Sequence, residues 1–149
     1  MTTILIICTY NRSVSKMASA YLESRLKEGG FELLDAGLSV RKGDRIAEGA
    51  QEALRRQGLI TERTAGTLLS LKEIKQADLI LCPTAELVRK VTDAYTSARG
   101  KTLHMMTYAP GGRRDVFEPR KDAESHLNCL KMMMPGLDAI AEKLTRQDD

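Results

Sequence analysis

The feature that most constrains this chain is a short apolar run that ends at a cysteine and leads into a helical pattern. Residues 3–8 read Thr-Ile-Leu-Ile-Ile-Cys, and a mostly polar segment follows up to position 16. A continuous apolar run of this length suits a strand buried on both faces, as in parallel sheets. The pattern therefore predicts a β–loop–α unit with Cys8 at the carboxyl end of its strand.

The rest of the chain continues the alternation of strand and helix patterns. Further strands are predicted at 31–35, 78–82 and 101–106, with amphipathic helical patterns between and after them. Such alternation predicts a parallel α/β sheet, and 149 residues suit one domain over positions 1–149. In the last helix, Pro135 and Gly136 are expected to kink or split the pattern.

Composition and charge exclude several classes of protein. The net charge of +3 is too mild for a typical nucleic-acid binder, and no apolar run approaches the length of a membrane span. The three cysteines are far apart and fit neither a disulfide framework nor a metal motif, so Cys82 and Cys129 are predicted to pack in the core. We expect a cytoplasmic protein without nucleic-acid or membrane partners.

The cysteine loop has the chemistry of an anion site. The backbone N–H groups of residues 9–15 and the first turn of the next helix can surround an oxyanion placed above Cys8. The same surroundings favour ionisation of a thiol. Phosphoryl transfer to sulfur, followed by hydrolysis, would also need a hydroxyl to support the thiolate, a cation for the phosphoryl oxygens and an acid for the leaving group.

The segment Cys8–Ala18 reads C-T-Y-N-R-S-V-S-K-M-A. It resembles the loop C-x-G-N-x-C-R-S-P-M-A of the low-molecular-weight protein tyrosine phosphatases, a family with arginine-phosphatase and arsenate-reductase branches. Ala36-Gly37, Ala77–Leu81 and Asp115–Pro119 match later family segments, so the resemblance covers nearly the whole chain. It implies a three-layer α/β sandwich of flavodoxin-like type, in which helices cover both faces of a four-stranded parallel sheet.

The resemblance also implies roles for individual residues. Cys8 matches the nucleophile, Ser15 the hydroxyl that supports the thiolate, and Glu118 the position of the general acid, where the family has aspartate. Asp115 is a second candidate acid, although its position in the family is more often structural. The implied phosphate-binding loop consists of Thr9, Tyr10, Asn11, Arg12, Ser13 and Val14. The family uses no metal or other cofactor, and none is expected here.

The loop departs from the family pattern where the phosphate is held. Val14 replaces the arginine whose planar fork binds two phosphoryl oxygens. Loss of one preorganised donor of this kind typically slows turnover by ~10²–10³. Arg12 or Lys16 could reach towards the anion, but we expect Lys16 to be a solvated surface charge. Tyr10 replaces a glycine, and Ser13 replaces the second loop cysteine.

Three functions are compatible with these residues. The favoured one is a divergent phosphatase-like protein with weak or no tyrosine phosphatase activity and a regulatory role in binding an oxyanion or a partner. The first alternative is an active phosphomonoesterase, acting on phosphotyrosine or phosphoarginine through a phosphocysteine at Cys8. The second is a cysteine phosphocarrier that resembles the IIB components of sugar phosphotransferase systems.

The residues around the segment Asp115–Pro119, which we call the acid loop, suggest a partner class. Arg113, Arg114, Arg120 and Lys121 form a basic rim, which suits an acidic or phosphorylated protein but equally fits a solvated loop. His104 and His126 are isolated in the sequence and are expected in core or solvent positions rather than as metal ligands.

Overall fold

Four parallel strands form the centre of the molecule in a computed structural model that describes residues 1–146. Their order across the sheet is β2–β1–β3–β4. The strands are β1 (Thr2–Cys8), β2 (Phe31–Gly37), β3 (Leu79–Cys82) and β4 (Thr102–His104). All neighbouring pairs are parallel, which each β–α–β connection requires. The predicted four-stranded parallel α/β fold is confirmed.

Helices cover the two faces of this sheet. They are α1 (Val14–Arg25), α2 (Glu48–Arg56), α3 (Leu71–Gln76), α4 (Ala85–Ala94) and α5 (Ala123–Arg146), with a 3₁₀ turn at Thr96–Ala98. Helices α1, α2 and α5 pack together over one apolar core, while α3, α4 and the 3₁₀ turn cover a second core on the opposite face. Alternate residues of β1 point into the two cores, so the strand is apolar throughout.

The sequence predicts a kink or split of the last helix at Pro135 and Gly136, and the split is excluded because α5 runs continuously through both residues. A proline in a helix interior removes one backbone hydrogen bond. Here Met133 and Leu137, on either side of it, are fully buried against the core. Packing of this apolar stripe therefore holds the helix together through the proline. None of the helices within residues 1–146 is long and apolar enough to cross a membrane.

The sheet topology places Cys8 at a functional edge. Cys8 is the last residue of the central strand β1 and pairs in register with Gly37 at the end of β2. In open parallel sheets, ligands bind beyond the carboxyl ends of the strands. The loops that follow β1, β2 and β3 therefore meet around the thiol.

Candidate active site

The Cys8 thiol lies at the base of the loop and is almost completely buried. Its Sγ donates to Ser15 Oγ at 2.9 Å, and the backbone N–H of Asn11 donates to Sγ at 3.3 Å. Ser15 is the second residue of α1, so the start of the helix places its hydroxyl beside the sulfur. The structure thus brings together the candidate nucleophile and the candidate supporting hydroxyl.

Asn11 fixes the shape of the loop. Its φ of 54° is the one positive value at a non-glycine residue in the described part of the chain, and asparagine tolerates this conformation better than most residues. Its Nδ2 donates to Ser15 Oγ at 2.8 Å and to Asp35 Oδ1 at 2.9 Å, while its Oδ1 accepts from Thr67 N–H at 2.8 Å. The side chain therefore joins the loop to β2 and to the segment before α3.

Lys16 is buried, so the prediction of a solvated charge is wrong. Its Nζ lies 2.7 Å from Asp35 Oδ1 and donates to the carbonyl oxygen of Ala65 at 2.7 Å. A buried cation needs a counter-ion, and Asp35 at the end of β2 supplies it behind the loop. Asp35 Oδ2 also accepts from Ser19 Oγ and Arg63 Nε. Lys16 is thus committed to the support of the loop rather than to an anion above it.

Among residues 1–146, no arginine side chain occupies the place of the family arginine: Val14 stands at that position, and Arg12 points its guanidinium elsewhere. The Val14 side chain is buried in the apolar core under α1. Arg12 is exposed, and its Nε donates to the carbonyl oxygen of Arg45 at 3.0 Å. The Cys8 thiol makes hydrogen bonds with Ser15 and with the backbone of Asn11, and the Glu118 carboxyl group is its acidic neighbour. The thiol therefore has hydrogen-bond support but no cationic partner in the described part of the chain.

The ionisation state of Cys8 differs from the sequence prediction of an easily ionised thiol. Burial, together with the nearby Glu118 carboxylate, raises the pKa of Cys8 to about 11, although its hydrogen bonds with Ser15 and with the backbone of Asn11 lower it in part. Without a cation at position 14, nothing comparable opposes the desolvation of the thiolate. The thiol is therefore protonated at neutral pH.

A cavity of about 660 Å³ opens beside the loop. Glu118 and Pro119 form one wall, Tyr10 stands half-exposed at the mouth, and Ser13 and His126 line the interior. Glu118 is exposed as a residue, but partial desolvation of its carboxyl group raises its pKa, which favours the protonated form. A protonated carboxyl at this place can donate to a leaving group in the cavity.

Comparison with known proteins identifies the family of this chain. The family model described as low molecular weight phosphotyrosine protein phosphatase matches residues 3–149. The chain belongs to this family. A relative, the protein-arginine-phosphatase of Geobacillus stearothermophilus, is 26% identical over 148 residues, which cover 95% of each chain.

Solved structures of similar proteins share the fold. The YwlE arginine phosphatase from Geobacillus stearothermophilus superimposes with a TM-score of 0.89 at 25% identity, over 99% of this chain and 95% of that one. The tyrosine phosphatase Wzb from Escherichia coli K30, in complex with sulphate, gives a TM-score of 0.84 at 24% identity, over 95% and 97% of the two chains.

Asp115, the second candidate acid, makes hydrogen bonds that hold its loop in place. Asp115 Oδ1 lies 2.8 Å from His104 Nε2 and accepts from the N–H of Ala85 at the start of α4 at 3.0 Å. The hydrogen bond from His104 is the main reason why the pKa of Asp115 is lowered. Asp115 thus anchors the acid loop, and Glu118 is the carboxyl that lines the cavity.

One contact of the site was missed by sequence reasoning. Ser13 Oγ lies 2.8 Å from His126 Nε2, although the two residues are 113 positions apart. His126 had no local motif to identify it, since only the packing of α5 beside the loop brings it there. In the part of the chain that the structure describes, no three His, Cys, Asp or Glu side chains are placed to hold a metal ion.

The remaining predictions on side chains have mixed outcomes. Cys82 and Cys129 are buried and unpaired with each other, as core packing requires. The four residues of the basic rim are exposed, which leaves both interpretations of the rim open. The roles implied for Thr9, Tyr10 and the other loop residues, and the cytoplasmic localisation, stay predictions.

Proposed function

We propose that this chain binds the phosphoryl group of a phosphomonoester in the Cys8 loop and hydrolyses it through Cys8 only weakly or not at all. The observation that carries the proposal is the burial of Val14 in the core while Cys8, Asn11 and Ser15 keep an ordered loop around the thiol. The chain thereby keeps a scaffold for an anion but lacks the side chain that would bind the phosphoryl oxygens most strongly.

Binding of an oxyanion is supported by the loop geometry. Asn11 holds the left-handed turn that lets successive N–H groups face one point, and α1 begins directly after the loop. These donors are backbone groups and do not depend on residue 14. The similar tyrosine phosphatase Wzb was solved with sulphate, and we expect phosphate or sulfate to bind above Cys8 here.

The proposed reaction has two steps. Cys8 sulfur attacks phosphorus, the bond from phosphorus to the ester oxygen breaks, and Glu118 gives its proton to the departing oxygen. Water then breaks the sulfur–phosphorus bond. With a pKa of about 11, only about one thiol in 10⁴ is a thiolate at pH 7, so the first step is slow.

A phosphoarginine group is the second candidate substrate, and one observation favours it. The carboxylates of Asp44, Glu48 and Glu118 line the cavity beside the cations of Arg12, Arg41 and Lys121. A phosphoarginine could place its guanidinium against the carboxylates and its phosphoryl group towards the cations, whereas a phosphotyrosine ring would find only Tyr10 and the His126 imidazole as aromatic neighbours among the lining residues. The similar Geobacillus protein is a protein-arginine-phosphatase. Family membership also favours hydrolysis over the phosphocarrier alternative.

The exposed rim of Arg113, Arg114, Arg120 and Lys121 supports a regulatory role in this proposal. The rim continues from the cavity wall, where Lys121 itself is a lining residue. A phosphorylated or acidic protein could therefore place its phosphoryl group in the cavity and acidic neighbours on the rim.

Hydrolysis of p-nitrophenyl phosphate by the wild type, Cys8→Ser and Val14→Arg tests the proposal. We expect slow turnover in the wild type, none in Cys8→Ser and a rise in kcat/KM of ~10²–10³ in Val14→Arg. Ala94→Arg, which adds an arginine at the exposed end of α4, is the matched control and should change nothing. A parallel series with phosphoarginine and phosphotyrosine peptides ranks the two substrate classes.

Two results would contradict the proposal. Fast Cys8-dependent hydrolysis by the wild type would show that the arginine is not needed. Failure of inorganic phosphate to bind in calorimetry, in both the wild type and Val14→Arg, would show that the loop is not an oxyanion site.

A further inference from the structure

Ser13 and His126 form a hydroxyl–imidazole pair inside the cavity, separate from the Cys8 thiol. Both residues are buried, and their Oγ and Nε2 atoms are 2.8 Å apart. Both line the cavity beside Glu118, whereas Cys8 is not among its lining residues. Among the hydroxyls that line the cavity, that of Ser13 is the one with a histidine partner in the described part of the chain.

The hydrogen bonds of His126 define which nitrogen can act as a base. Its Nδ1 lies 2.9 Å from the carbonyl oxygen of Asp122, which can only accept. In the neutral ring, Nδ1 therefore carries the hydrogen, and Nε2 accepts from the Ser13 hydroxyl. The side chain of Asp122 accepts from the N–H of Ser125, so the start of α5 fixes the carbonyl that orients the ring.

The neighbouring helix leaves space for this imidazole. A Cβ atom at Gly49 in α2 would lie 2.5 Å from His126 Nδ1 and 2.6 Å from the carbonyl oxygen of Lys121. Only glycine lets α2 approach the ring so closely. The place of His126 is thus built by two helices and does not depend on the loop alone.

The Ser13 hydroxyl does not make the hydrogen bond that caps the start of α1. Ser13 occupies the N-cap of α1, where a serine side chain normally accepts from a backbone N–H of the first turn. Here it makes no such bond, and its recorded partner is His126. The first turn of α1 keeps N–H groups free to face an oxyanion next to the hydroxyl.

We propose that Ser13 is a second phosphoryl acceptor, activated by His126, and that it takes the phosphoryl group of an aryl or acyl phosphate bound in the cavity. The inference rests on the proposed binding of a phosphoryl group in this loop. Ser13 Oγ forms a bond to phosphorus, and the bond from phosphorus to the leaving oxygen breaks. His126 Nε2 receives the serine proton, and the leaving oxygen departs with its electron pair and takes a proton from Glu118. The product is phosphoserine at position 13.

Labelling of Cys8→Ala with p-nitrophenyl phosphate tests this inference, because alanine at position 8 removes every thiol and hydroxyl from that position. We expect a mass gain of one phosphoryl group, localised to Ser13 by fragmentation, with release of one equivalent of nitrophenolate. Cys8→Ala/Ser13→Ala should stay unlabelled. Cys8→Ala/Ser97→Ala is the matched control, since Ser97 is an exposed serine outside the cavity, and it should label normally.

The role of His126 has a separate readout. His126→Gln, in the Cys8→Ala background, can keep a hydrogen bond to Ser13 but cannot take its proton. Loss of a general base slows such a step by ~10²–10⁴, so labelling should slow by at least ~10²-fold. Added imidazole should partly restore the rate in His126→Ala, which a purely structural role would not allow.

The outcomes separate this inference from the proposed function. Phosphate binding to Cys8→Ala without a label on Ser13 would overturn the inference and leave the oxyanion site intact. A label that survives in Cys8→Ala/Ser13→Ala would also overturn it. Because Ser13→Ala removes one small hydroxyl, its result stands even where a His126 variant fails to fold.

Discussion

At the scale of single residues, the loop depends most on Asn11. This side chain makes three hydrogen bonds, to Ser15, Asp35 and the backbone of Thr67, from a left-handed backbone conformation. Its amide thus fixes the orientation of the Ser15 hydroxyl that contacts the Cys8 sulfur. The geometry at the Cys8 thiol therefore depends on the hydrogen bonds of Asn11.

Replacement of Asn11 separates its backbone role from its side-chain role. Asn11→Gly keeps access to the positive φ but removes the three hydrogen bonds, each of which contributes about 1 kcal/mol. Asn11→Ala removes the same bonds and adds about 1 kcal/mol of left-handed strain. Urea unfolding should therefore rank the free energy of unfolding as wild type, then glycine, then alanine. Asn128→Ala, at an exposed position of α5, is the control. Equal stability of the two Asn11 variants would contradict a cost from the left-handed backbone.

The pair of Cys8 and Glu118 gives a second test at this scale. Burial is the larger cause of the raised pKa of Cys8, and the Glu118 charge raises it further. Glu118→Gln removes that charge, so the pKa of Cys8 should fall and alkylation by iodoacetamide at neutral pH should become faster. Mass mapping of the Cys8 peptide against pH measures the shift, with the exposed Glu28→Gln as control. A slower reaction in Glu118→Gln would refute the electrostatic interpretation.

At the scale of elements, the close approach of α2 to α5 determines the interior of the cavity. Gly49 faces the ring of His126 and the backbone of Lys121 with no room for a methyl group. The same approach places His126 beside Ser13 of the loop. The helix pair therefore contacts the loop at Ser13, whereas Asp35 contacts it at Asn11.

Gly49→Ala should destabilise the protein, although alanine is the better helix former by about 1 kcal/mol. The new Cβ would lie 2.6 Å from a backbone carbonyl oxygen, which cannot rotate away, so α2 must shift. We expect a lower Tm and slower labelling of Ser13. Gln51→Ala, at an exposed site of the same helix, is the control, and an unchanged or higher Tm in Gly49→Ala would contradict the tight packing.

Helices and strands could be predicted from the sequence better than the side-chain contacts between them. The apolar run before Cys8 and the alternation after it were enough to predict the parallel sheet, because local patterns carry that information. The burial of Lys16 depends on Asp35 at the end of another strand, and the contact of Ser13 depends on the last helix. Such pairings arise from tertiary packing, so no local pattern could reveal them. The unbroken α5 has the same cause, since buried neighbours on both sides of Pro135 override its local preference.

At the scale of the whole molecule, stability is concentrated in the middle of the sheet. Strands β1 and β3 are its two central members, and Ile4–Ile7 of β1 are fully inaccessible between the two cores. The loop at 111–114 is exposed throughout. The candidate site lies between the fully buried strand β1 and this exposed loop, at the carboxyl end of β1.

Hydrogen exchange should reproduce this gradient. We expect the amides of β1 and β3 to exchange slowest, by global unfolding, and those of 111–114 fastest, by local opening. Exchange measured by mass spectrometry across the denaturant transition checks the order. Fast exchange of residues 4–7 in the native protein would show that the two cores do not protect the central strand.

Tyr10 gives the whole molecule a built-in optical reporter. The chain has no tryptophan and four tyrosines, so tyrosine emission is not masked by a stronger fluorophore. Tyr10 alone among them lines the cavity, where the residue is 51% exposed. A nitroaryl phosphate that enters the cavity should quench this emission, and Tyr10→Phe should reduce the response. Ligand occupancy can therefore be followed in the unlabelled wild-type protein, whether or not any turnover follows.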